Sequence, residues 1–207
     1  MDIVKHLRRR AVTWAAAGAA AVAAASALSL TAASAAPVTS ASTSGPFTFA
    51  LVPSPGIASC RPHAHGVVTI IPGRQNDLMN VTITGMPRNA EFDLFVIQQP
   101  NKPFGVSWYQ TDVNANGAGV GFASVRGIFD RETFSVSPGG TTTFAPTHQF
   151  HLGLWFNDPQ LPFKLGCEPG QPSPVVTPFN GEQHAGIQVL NTAEFPDAAG
   201  PLSHVHR

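Results

Sequence analysis

Eight histidines stand in a chain that has only one tyrosine, and seven of them fall after residue 35, so imidazole is the side chain here with the widest chemical reach. His63 and His65 are spaced i, i+2, which puts both rings on one side of an extended segment. Imidazole suits zinc and copper, and a third ring for such a centre would come from His184, or from His148 or His151. His148 and His151 are three apart and so point to opposite faces of a strand, which disfavours both serving together. The competing reading is that these histidines are surface or hydrogen-bonded groups. That second reading is the one adopted, with no cofactor expected and a copper or zinc centre on His63, His65 and His184 as the alternative.

Other motifs carry less. Asp112, Asn114, Asn116 and Gly117 open like a calcium loop, but the twelfth position, where a bidentate glutamate is needed, is Ala123. Asn116-Gly117 reads instead as a hairpin turn whose two residues tolerate positive φ. GAGVG at 117–121 falls inside that hairpin rather than between a strand and a helix N-terminus, so it lacks the geometry of a phosphate loop. No G-x-S-x-G elbow, H-E-x-x-H pair or S-x-x-K motif occurs after residue 35. Glu91 and Asp93 neighbour one another on one strand face, whereas glycosidase carboxylates flank the scissile bond from opposite sides. They read as a solvated face, and no catalytic residue is assigned.

Aromatic side chains give the best non-catalytic lead. Phe104, Trp108 and Tyr109 lie in or beside one loop, and Trp155 falls opposite the apolar row of its strand. The favoured reading is that a second layer packs over them; exposed on a rigid scaffold, such rings would instead form a binding patch that stacks on a sugar or anchors a protein partner. The two cysteines, Cys60 and Cys167, are most simply joined as one disulfide. By the chain-entropy account, closing a loop of about 107 residues stabilises by roughly 4–5 kcal/mol.

The elements that must position these residues have a period of two. Met79, Val81 and Ile83 alternate with Asn80, Thr82 and Thr84, and Phe92, Leu94 and Val96 alternate with Glu91 and Asp93. Phe150, Leu152, Leu154 and Phe156 form a third apolar row, with His151 and Trp155 on the other face. Shorter strands are expected at 47–52, 66–71, 106–111, 118–126, 132–137 and 185–191. Glycine- and proline-rich turns (PGRQND, GMPRNA, NANGAG, SPGG) separate the runs, and no capped amphipathic helix follows residue 36. The fold expected is all-β: an antiparallel β-sandwich of seven to nine strands, immunoglobulin-like in connection, with one disulfide. The 157–182 stretch is a long proline-rich connection, of a kind that is uncommon unless functional or tethered, and Cys167 would tether it.

The succession GMPRNAEFDLFVIQQPNKPFGVSWYQTDVNANGAGVG, HLGLWFNDP and TPFNGEQHAGIQVLNT resembles an uncharacterised family of exported bacterial proteins with an immunoglobulin-like β-sandwich. The resemblance spans most of 47–202. It implies the fold and brings no catalytic residues.

The N-terminus reads as a signal peptide. Lys5, Arg8, Arg9 and Arg10 precede an uncharged, alanine-rich stretch from Ala11 to about Leu30, and TAASAAPV supplies the small residues signal peptidase needs, placing the cut between Ala35 and Ala36. Either the general secretory or the twin-arginine route would accept it. Residues 36–46 then form a flexible leader, 47–202 a single domain and 203–207 a tail. Removing 1–35 leaves 8 basic against 11 acidic residues, near −3, with no basic stripe to replace phosphate counterions, which excludes a nucleic-acid partner. The expectation is a secreted, extracellular, non-catalytic binding or structural module that does not span a membrane after cleavage. Its partner would be a carbohydrate or protein ligand; a histidine metal protein, such as an oxidoreductase, is the alternative.

Overall fold

The computed structural model describes residues 45–129, 148–179 and 184–205. Among these residues eight strands form in chain order: β1 (Phe47–Pro53), β2 (His65–Ile71), β3 (Asp77–Thr84), β4 (Glu91–Ile97), β5 (Ser107–Asn114), β6 (Gly121–Gly127), β7 (His151–Phe156) and β8 (Gln188–Asn191). All pairings are antiparallel, in the order β5-β4-β7-β8-β1-β2-β3-β6. Strand β1 serves both halves: residues 47–51 pair with β2, while Val52 and Pro53 pair with β8. The two end strands, β5 and β6, are joined by the 115–120 hairpin and bridge at Ala115 and Gly121, so the sheet is nearly closed. The strand expected at 132–137 lies outside the described residues. Within the proline-rich connection there is one short helix, α1 (Gln160–Lys164), and a 3-10 turn at Pro201–His204 follows β8.

Alternation decides the inner face. On β3, Met79, Val81 and Ile83 are buried while Thr82 and Thr84 face water, as the period of two requires. The main core gathers these with Phe92, Leu94 and Val96 of β4 and Leu152, Leu154 and Phe156 of β7. Register explains the match: Phe92 stands opposite Phe156, Leu94 opposite Leu154 and Val96 opposite Leu152. The packed unit continues past residue 202, because Val205 is buried in the same core; the tail expected from 203 is therefore packed as far as Val205.

Strands β4 and β7 depart from the one-sided pattern. Their second faces are also covered, by Phe95, Ile97 and Trp155 packing with Phe179, Ala185 and the half-buried Phe104 into a second apolar cluster. The loop after β4 and the segment before β8 fold over this half of the sheet. Asp93, expected on a solvated face, is therefore 1% exposed, and its Oδ1 accepts a hydrogen bond from Asn157 Nδ2 at 2.9 Å. Its neighbour Glu91 remains exposed.

The hairpin after β5 turns as expected but by different chemistry. Positive φ falls on Gly119 (+73°), not on Asn116 or Gly117. Asn116 acts through its side chain, its Oδ1 accepting from the N–H groups of Ala118 (2.8 Å) and Val120 (3.2 Å), which is an Asx-type turn. A Cβ on Gly119 would strike the Met86 carbonyl, so only glycine fits there. Cys60 and Cys167 are bonded, with Cα atoms 5.3 Å apart. No helix among the described residues is long and apolar enough to cross a membrane.

Candidate functional site

The aromatic residues singled out above separate into two groups. Trp155 is completely buried. Its ring meets Phe95, Phe104 and Phe179 edge-on, with centroids 5.5, 4.9 and 4.8 Å away, and lies so close over Gly153 that any Cβ there would collide with it. It is core, because the β4–β5 loop supplies the second layer. Trp108 and Tyr109, by contrast, are 57% and 41% exposed on the end strand β5. A bulge between Leu94 and Phe95 puts Tyr109 opposite Phe95 and Trp108 opposite Val96, so the two rings leave opposite faces of the sheet. Tyr109 Oη donates to Asp112 Oδ1 at 2.7 Å. The four rings do not form one exposed patch.

The histidines do not converge either. Among the described residues, no group of three or more His, Cys, Asp or Glu side chains is placed to hold a metal ion. His65 begins β2 on its exposed face, opposite Thr84; His63 sits in the preceding turn, its carbonyl against Gly85; His184 is exposed one residue before the buried Ala185. His148 has positive φ (51°) and is exposed, and His206 lies outside the described residues. His151 is structural. Its Nδ1 meets Thr192 Oγ1 at 2.8 Å, and Nε2 lies 3.2 Å from the carbonyls of Pro196 and Asp197. Those carbonyls can only accept, which places the proton on Nε2. Desolvation by burial holds its pKa below the ordinary value, against the opposing pull of the carbonyls and of Asp197. Asp112 belongs to no such group of described residues either.

What the structure does assemble is a cleft of about 690 Å³, within the range of small-molecule sites. Three segments distant in sequence wall it. The first follows β1. Ser54 is buried, with its N–H on the Val189 carbonyl and its hydroxyl on the Gln188 carbonyl; Pro55, Gly56 and Ser59 then line the cleft in a turn pinned by the buried Ile57.

The second wall is the β4–β5 loop, carrying Asn101, Lys102 and Phe104. Strand β8 fixes this loop, because the Pro100 carbonyl accepts from both Gln188 Nε2 and Asn191 Nδ2 at 3.0 Å. Gly105, at φ +69°, turns the loop where any side chain would meet Gln98. Phe104 is thereby held against Trp155, which gives the cleft an aromatic wall with a rigid backing.

The third wall is the proline-rich connection, with Cys167, Glu168, Pro169, Gln171, Val175 and Thr177. The disulfide anchors it to the first wall, and Thr177 N–H holds the Ala185 carbonyl at 2.7 Å. Glu168 is buried, and its Oε2 accepts from Val175 N–H at 2.8 Å. Its Oε1 is shielded from water and has no hydrogen-bond partner among the described residues. Sequence reasoning found the pieces, the tethered connection and Phe104, but not the cleft, since nothing in the chain reveals that 54–59, 101–104 and 167–177 meet.

No protein-family model matches the chain, and neither a curated protein nor a solved structure matches it.

Proposed function

We propose that this protein is an exported, non-catalytic binding module and that the disulfide-walled cleft is its recognition site. The observation that carries this reading is the cleft itself: about 690 Å³, held open by a disulfide, a buried amide network and an aromatic pair rather than by mobile side chains. Such preorganisation lowers the ordering cost of binding. Ser59, Asn101, Gln171 and Thr177 supply hydroxyl and amide groups beside the ring of Phe104, the mixture that grips a carbohydrate-sized ligand by stacking and hydrogen bonds. Export is supported by the basic, alanine-rich start with its small-residue cleavage segment, and a disulfide belongs in an oxidising compartment. The antiparallel strands, with β1 divided between two halves of the sheet, support an immunoglobulin-like connection.

The test is isothermal titration with tetramers of glucose, N-acetylglucosamine and glucosamine, on the wild type and on Gly56→Trp. Gly56 lines the cleft, and a Cβ there meets nothing within 4 Å, so the substitution sets an indole at the cleft wall without a clash at Cβ. At least one probe should bind, and the substitution should weaken it tenfold or more. Binding that survives Gly56→Trp, or no binding by any of the three, would remove the cleft as the recognition site.

A further inference from the structure

We propose that the ligand of this cleft is an acidic sugar, a uronate, and that Lys102 and Asn101 receive its carboxylate; the proposal rests on the cleft being the recognition site. The polar groups that line the cleft are of two kinds. Ser54 and Gln188 are buried and spend their side chains on holding the walls, through the Gln188 and Pro100 carbonyls. The groups open to a ligand keep their capacity. Lys102 is exposed and forms no ion pair with a described residue. The side chains of Ser59, Gln171 and Thr177 likewise make no hydrogen bond among the described residues.

Asn101 is half spent, and backbone groups decide which half. The Pro100 carbonyl can only accept and the Ala193 N–H can only donate. Asn191 meets both, its Nδ2 on Pro100 and its Oδ1 on Ala193, each at 3.0 Å. The same Nδ2 lies 3.3 Å from Asn101, so Asn101 answers it with Oδ1. That leaves the Nδ2 of Asn101 as a donor without a partner among the described residues. Two adjacent positions on the β4–β5 loop therefore offer an ammonium and an amide N–H, which match the two oxygens of a carboxylate.

The charge open to a ligand has the same sign. Lys102 and Glu168 are the charged residues among those lining the cleft. Glu168 is closed to a ligand, with Oε1 shielded from water and Oε2 taken by Val175 N–H. One ammonium suits a singly charged acid rather than a phosphate dianion. The Phe104 ring, with the hydroxyl and amide groups of Ser59, Gln171 and Thr177, suits the apolar face and hydroxyls of a pyranose. A uronate joins both features, whereas glucose, N-acetylglucosamine and glucosamine lack the acid.

The experiment is calorimetry at low ionic strength with a galacturonate tetramer, its methyl ester and the glucosamine tetramer. N-acetyl-tetra-alanine and its amide serve as a peptide pair that differs in the same way. On the wild type the galacturonate should bind about fivefold or more tightly than its ester, the scale of an exposed, charge-assisted contact. The glucosamine tetramer should bind most weakly of the three sugars. The acid-to-ester ratio should shrink in about 0.5 M salt, because an exposed lysine is screened. Lys102→Gln should bring the ratio close to one, and Lys102→Arg should retain it. Asn101→Asp keeps an acceptor for Asn191 but turns the open donor into an acceptor, so the ratio should fall there too. The wild-type ratio needs no variant, so it decides even if a variant folds poorly.

Acid and ester of equal affinity, or a ratio unchanged by Lys102→Gln, would overturn the proposal. Ester binding that is lost in Gly56→Trp, with no acid advantage, would leave the cleft standing and remove the acidic ligand. An acid preference confined to the peptide pair would overturn the assignment to a sugar. No binding by any sugar probe, charged or neutral, would remove both the cleft and its ligand.

Discussion

Replacing Cys60 and Cys167 together by serine opens a loop of 107 residues. For that length the chain-entropy relation gives a loss of about 4.8 kcal/mol at 25 °C. With roughly 2.1 cal/mol/K of unfolding entropy per residue over about 160 residues, that corresponds to a melting temperature lowered by roughly 14 °C. The structure adds a local consequence. Cys167 adjoins Glu168, and the bond ties the proline-rich wall of the cleft to the turn after β1, so ligand affinity should fall at temperatures where the double variant is still folded. Urea unfolding of the wild type and the double variant, each with titration of the best-binding probe, reads both effects. A stability loss below about 1 kcal/mol would refute the loop-closure reasoning. Unchanged affinity in the folded double variant would refute the claim that the disulfide holds the cleft wall.

The two tryptophans should separate cleanly: Trp155→Ala removes a fully buried ring and should cost about 3–5 kcal/mol in chemical denaturation, whereas Trp108→Ala on exposed β5 should stay within about 0.5 kcal/mol. His151 should make stability depend on pH. Its folded pKa is depressed by burial, so the unfolded chain binds more protons once the pH drops below about 6.5. Stability should therefore be complete above that pH and decline as the pH falls from there toward the lower folded value. Urea titrations at pH 7.5, 6.5 and 5.5 check this, and a His151→Gln variant should lose that part of the decline.

Local periodicity carries most of the fold. The rows Met79-Val81-Ile83 and Phe92-Leu94-Val96 are inner faces because a strand alternates, and a sequence displays alternation directly. The disulfide was legible from two cysteines alone. The second faces of β4 and β7 were not, because their burial comes from Phe104, Phe179 and Ala185, which reach them through chain reversals that no local pattern encodes. That is why Asp93 reads as solvated although it is buried, and why the sequence leaves the covering layer over Trp155 unidentified although that ring is buried too. The turn at 115–120 shows a subtler limit: Asn-Gly marks a hairpin, but the residue taking positive φ is Gly119, since the Asn116 side chain caps the loop instead. The cleft was the least legible feature, being made by three segments that meet only after β8 holds Pro100 and the disulfide holds Cys167.

The most direct measurement is amide chemical-shift mapping on the folded protein during titration with the glucosamine tetramer and its N-acetylated form. A recognition site in the cleft predicts that perturbations concentrate at 54–59, 101–105 and 167–177, with Ile187 and Gln188 following. Shifts confined to Trp108 and Tyr109 on β5, or none with either probe, would contradict it.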